Sequence, residues 1–76
     1  MDDFNAGKLI IEELKRAREK FPNFHNQHEG YAIIKEELDE LWDDVKTNKN
    51  AQKEAIQVAA MAVRFIVDLH QEEPAR

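Results

Sequence analysis

Residues 51–70 read as one helix that is apolar around most of its circumference, and no other feature of the chain constrains its fold as tightly. Projected at about 100° per residue, Ala55, Ile56, Val58, Ala59, Ala60, Ala62, Val63, Phe65, Ile66, Val67 and Leu69 spread over roughly two-thirds of the helix surface. The polar remainder is a narrow line of Glu54, Gln57, Arg64 and Asp68, with Met61 in its gap and Lys53 beside it. Such a helix belongs at the centre of a bundle. Two neighbours cannot cover so wide an apolar surface, so a chain of 76 residues is expected to complete its core with further copies of itself.

Everything before this helix is also helical in pattern. Two glycines, two prolines and long stretches of 3.6-residue period predict an all-α, single-domain chain with helices at about 3–20, 27–46 and 51–70 and a frayed tail over 71–76, with Pro74 helping to close the chain. The first helix is capped by Asp2 or Asp3 and ended by Phe21-Pro22. Its buried side is Ile10, Ile11, Leu14, Ala17 and Phe21, with Phe4 at the margin and Gly7 placed to allow close backbone approach. Its other face carries Lys8, Glu12, Lys15, Arg16 and Lys20, where Glu12 and Arg16 are spaced for an ion pair and any of the bases could meet a phosphate. Phe24 tucks under the bundle, and Asn26 with Glu29 resembles a capping box. In the turn 47–50, Asn48 suits a left-handed backbone and Asn50 a cap, and so short a connection makes the second and third helices antiparallel neighbours. The expected architecture is a three-helix antiparallel protomer that reaches a four-helix-bundle-like core by homo-oligomerisation.

Composition removes several function classes. There is no cysteine, which excludes disulfides and thiolate metal sites and fits a cytoplasmic setting. His25, His28 and His70 share no metal-ligand spacing. No apolar run approaches the ~18 residues of a membrane span, and the N-terminus is acidic where a signal peptide is basic. With 16 acids against 11 bases the net charge is −5, which argues against binding to a nucleic-acid backbone.

The middle helix has two unlike faces. Tyr31, Ile34, Leu38, Leu41, Trp42 and Val45 form an apolar stripe expected to face the core, while Glu36, Glu37, Glu40, Asp43 and Asp44 gather on the other side. Like charges at these spacings repel, by a few tenths of a kcal/mol per pair. A solvated acidic face is one reading. The other is a divalent-cation site, because hard cations prefer carboxylate oxygens. Antiparallel packing can bring Glu54 towards Glu37 and Glu40, giving carboxylates from two helices in one space. An ion there suits a polyphosphate substrate, whose hydrolysis it can assist.

Glu36-Glu37-Leu38-Asp39-Glu40-Leu41, followed after a short turn by a helix with Glu54 in its first turns, resembles the MazG-like all-α nucleoside triphosphate pyrophosphohydrolases, including small phage-type or mobile-cassette members. The family pattern is E-E-x-x-E on one helix and E-x-x-D on the next. Glu36, Glu37, Glu40 and Glu54 match it, and Gln57 stands where the family has aspartate. The resemblance covers residues 30–69 or so. It implies hydrolysis of a nucleoside triphosphate to monophosphate and pyrophosphate, Mg²⁺ or Mn²⁺ dependence, homodimers or homotetramers, and a role in nucleotide-pool housecleaning. On that model Glu37, Glu40 and Glu54, with Gln57, hold the metal, and Glu36 ligates it or orients water alongside Glu37. Arg64 and Asp68 are spaced for an intrahelical ion pair; alternatively Lys53 or Arg64 contacts phosphate. Two rivals stay open: a non-catalytic helical interaction module, which Gln57 favours, and a small acidic DNA-mimicking regulator.

Overall fold

The first two helices begin where a short polar side chain caps free backbone amides, while the third starts from Ala51 with no side-chain cap and Asn50 one residue outside it. Asp2 Oδ1 accepts from the Asn5 amide at 2.8 Å, Asn26 Oδ1 from the Glu29 amide at 2.8 Å, and Asn50 Oδ1 from the Gln52 amide at 3.0 Å. Each bond satisfies one of the donors that a helix start leaves open. The structure, a computed structural model, describes residues 1–70, and among these the helices are α1 (Asp3–Lys20), α2 (Gln27–Lys46) and α3 (Gln52–Asp68), with no strand. The expected tail over 71–76, with Pro74, lies outside the described residues. α1 stops at Phe21, whose extended backbone is what a residue before proline prefers. α2 closes with Asn48 at φ 59, its amide donating to Val45 O while the Lys49 amide donates to Asp44 O, the paired bonds of a Schellman end.

α3 is the spine of the molecule. It packs against both other helices, whereas α1 and α2 make no backbone contact with each other. Gly30 and Ile34 of α2 lie beside Phe65, and Glu37 lies across from Gln57, so α2 and α3 are antiparallel. Arg18 meets Asp68 while Leu9 and Ile56 share a hollow, so α1 and α3 run parallel. The core is small: Ala17, Phe24, Ala60 and Met61 are buried, with Ile10, Leu14, Ile33, Ile34, Phe65 and Leu69 partly so. Alanine at 60, fully enclosed, lets the helices approach closely. Gly30 does the same for α2, since a Cβ there would stand 2.6 Å from Phe65 Cδ2.

Several faces differ from expectation. The α2 stripe points mostly away from the protomer core: Tyr31 is 64% exposed and Trp42 60%, with Leu38 and Val45 near half. The cause is the rotation of α2, which turns Gly30, Ile33 and Glu37 inward instead. On α1, Ile10, Leu14 and Ala17 face inward, but Ile11 and Phe21 are exposed. Gly7 has open space around it and permits no close approach. Arg16 pairs with Glu13 at 2.6 Å, one turn away, in place of Glu12.

Candidate functional site

Because α1 and α2 splay apart above α3, the protomer holds a cleft of about 650 Å³ lined by all three helices. Its floor is the polar line of α3: Lys53, Gln57, Met61 and Arg64. Arg64 stands eleven positions beyond Lys53, so at about 1.5 Å of rise each that floor is about 16 Å long. α1 supplies Glu13, Arg16, Ala17 and Lys20; α2 supplies Glu29, Ile33, Glu36 and Glu37; Phe21, Pro22 and Phe24 close one end. The volume lies in the range of small-molecule sites. Four bases and four acids share it, the bases on α1 and α3 and three of the acids on α2.

Glu37 is the least ordinary of these. Its Oε2 is buried and has no hydrogen-bond partner among the described residues. Burial raises its pKa to about 7, assisted by Glu40, within hydrogen-bonding reach, and by repulsion from Glu36 and Glu13. Glu13 comes from α1, across the cleft. Sequence reasoning passed over it, although its place one turn from Ile10 and Ala17, at the edge of the buried stripe, is a signal that could have been read.

At the closed end stands Arg64, only 3% exposed. Its Nη2 donates to Pro22 O at 2.8 Å, its Nη1 to Met61 Sδ at 3.2 Å, and its guanidinium lies 4.2 Å from the Phe24 ring centre. The expected pairing with Asp68 does not form. Asp68 turns instead to Arg18 Nη1 at 2.9 Å and accepts from the Phe24 amide at 3.0 Å, which pins the loop after α1 to the end of α3.

The expected site residues thus divide. Glu36, Glu37, Lys53, Gln57 and Arg64 line one cleft, and Glu40 lies beside Glu37. Glu54 is half-buried on α3 but does not line that cleft. Among the described residues no three His, Asp or Glu side chains converge enough to hold a metal ion, so Glu37, Glu40 and Glu54 do not close into a cage within one protomer. The helix geometry explains this: with α2 turned to aim Glu37 at Gln57, Glu40 is left exposed. No helix among the described residues is long and apolar enough to cross a membrane. No family model, curated protein or solved structure matches the chain.

Proposed function

We propose that this chain is a Mg²⁺-dependent nucleoside triphosphate pyrophosphohydrolase of the MazG-like kind, cleaving between the α and β phosphates to give monophosphate and pyrophosphate. The observation that carries the reading is the Glu37 carboxylate: a buried oxygen without a hydrogen-bond partner among the described residues, beside Glu40 and Glu36, in a cleft that Gln57 also lines and to which α1 and α3 bring Arg16, Lys20, Lys53 and Arg64. An orphaned oxygen of this kind suits a hard cation. Mg²⁺ is commonly held by one or two carboxylates together with substrate phosphates and water, so Glu37 and Glu40 with the Gln57 amide are sufficient without an all-protein cage. When bound, the ion screens the phosphate charge and polarises the phosphoryl oxygens.

The chain's own residues do the rest. Lys53 on the floor and Arg16 on the α1 wall, the latter paired with Glu13, neutralise charge on the phosphate beside Glu37. Glu36 accepts a proton from the attacking water, which adds to the α phosphorus as pyrophosphate leaves. Glu37 fixes the position of that phosphorus. The reading is tested by incubating the protein with Mg²⁺ and a panel of ribo- and deoxynucleoside triphosphates and measuring pyrophosphate.

Assembly belongs to the same proposal. Tyr31, Leu38, Trp42 and Val45 on α2, with Ile66 and Val67 on α3, leave large apolar side chains in water, and a homodimer or homotetramer would cover them. The same exposed residues favour the second reading, a non-catalytic helical module whose task is association. Absence of pyrophosphate release together with stable self-association selects it.

A further inference from the structure

We propose that the closed end of the cleft is an anion seat, with Arg64 as its fixed donor and Lys20 as its mobile one, and that it takes the pyrophosphate end of a polyphosphate; the inference rests on the hydrolase reading for the identity of the anion. Arg64 carries a full positive charge in a place that is 97% enclosed, and among the described residues no carboxylate forms an ion pair with it. Its partners are a neutral carbonyl, a thioether and a ring face. A thioether is a weak acceptor, and a cation over a ring recovers only part of the cost of burying a charge. Its Nε has no hydrogen-bond partner among the described residues.

The acids near this end are already engaged. Asp68 is held by Arg18 and the Phe24 amide, and Glu29 by His25 Nδ1 at 2.9 Å. The charged groups that line this end are therefore Lys20, Arg64 and the paired Glu29, while Glu13, Arg16, Glu36, Glu37 and Lys53 line the remainder. A guanidinium offers five N–H donors in a planar fork, of which two are used here, so oxygen pairs of a phosphate match what is spare. Arg64 follows Gln57 by seven positions on α3, about 10 Å along the helix. A triphosphate laid along the floor with its first phosphorus beside Glu37 therefore points its terminal phosphates at Arg64. This gives the cleft a direction, with the nucleoside at the open end and the leaving group at the closed one.

The seat is tested with inorganic pyrophosphate as the probe and the full chain freed of metal by a chelator, by calorimetry at low ionic strength. Wild type is expected to bind one pyrophosphate per chain. Lys20→Gln, an exposed change that leaves the core intact, should weaken binding about tenfold, the worth of one charged hydrogen bond. Arg64→Lys keeps the charge but not the fork and should weaken it at least as much. Lys8→Gln, at an exposed position outside the cleft, should leave it unchanged. No saturable binding, or equal effects of Lys20→Gln and Lys8→Gln, would overturn the seat. Nucleotide turnover without a pyrophosphate seat would overturn this inference alone, whereas a seat without turnover would support it and remove the hydrolase reading.

Discussion

Glu13 on α1 and Glu37 on α2 lie across one cleft, although the backbones of the two helices that carry them make no close approach. Glu37 therefore feels negative charge from its own helix, through Glu36 and Glu40, and from the opposite wall. With its burial, that repulsion holds its proton to about pH 7.

That shift makes stability depend on pH in a definite direction. The folded state binds the Glu37 proton more tightly than the unfolded chain, so this group favours folding most below pH 4.5 and progressively less as pH rises to about 7. Denaturation of wild type and Glu37→Gln without divalent metal should show the variant gaining on wild type across that interval. The gap should then stay constant at higher pH. A gap independent of pH would mean that the carboxyl is not held protonated by its surroundings.

The two glycines should respond in opposite ways. Gly30→Ala places a methyl group 2.6 Å from Phe65 Cδ2 and 3.3 Å from Phe24 Cδ2, and forcing these rings aside should cost about 1–3 kcal/mol. Gly7→Ala meets nothing within 4 Å and should stabilise by up to about 1 kcal/mol through helix propensity. Urea denaturation of both variants checks the contrast.

Asp68 is the pin at the closed end, with 1% of its side chain exposed. Asp68→Ala leaves the Phe24 amide and the Arg18 guanidinium without their acceptor and should cost about 3 kcal/mol, at the lower end for a broken buried pair because Arg18 is partly solvated. Asp68→Asn, which keeps one acceptor oxygen, should cost less. Thermal denaturation distinguishes the two.

The helix ends were legible because they rest on local chemistry. Asp2 and Asn26 cap, Asn48 takes the left-handed backbone, and Phe21-Pro22 stops α1, each decided by local chain; the expected Asn50 cap is displaced, since α3 starts from Ala51 with no side-chain cap and Asn50 only reaches the Gln52 amide from one residue outside. The faces were less legible, because a helical period fixes which residues share a side but not which neighbour covers it. The helical period groups Tyr31, Leu38 and Trp42 on one side of α2 but cannot say that this side faces away from the protomer core, which closes around Gly30, Ile33 and Phe65 instead. The polar line of α3 was equally visible, but only the splay of α1 from α2 makes it the floor of a cleft. Asp68 sits i, i+4 from Arg64 and still pairs with Arg18, fifty residues away, a choice no local spacing encodes.

Exposed apolar side chains on α2 give the assembly proposal its own check. Trp42→Glu and Leu38→Glu change positions about half or more exposed in the protomer, so helix content should persist. Sedimentation velocity should show wild type as a dimer or tetramer and the double variant as a smaller species. Identical sedimentation would place any interface elsewhere.

The central claim is that Glu37 and Gln57 face a common ion and phosphate in one cleft, and pyrophosphate release under a Mg²⁺ titration tests it most directly. Wild type should release pyrophosphate from at least one nucleoside triphosphate. Glu37→Gln should lose that activity by a hundredfold or more, on the order of removing one group that acts in the transition state, while Gln57→Asp should reach half-maximal rate at lower Mg²⁺. Release that is absent from wild type and Gln57→Asp alike, or that survives Glu37→Gln unchanged, would contradict the account.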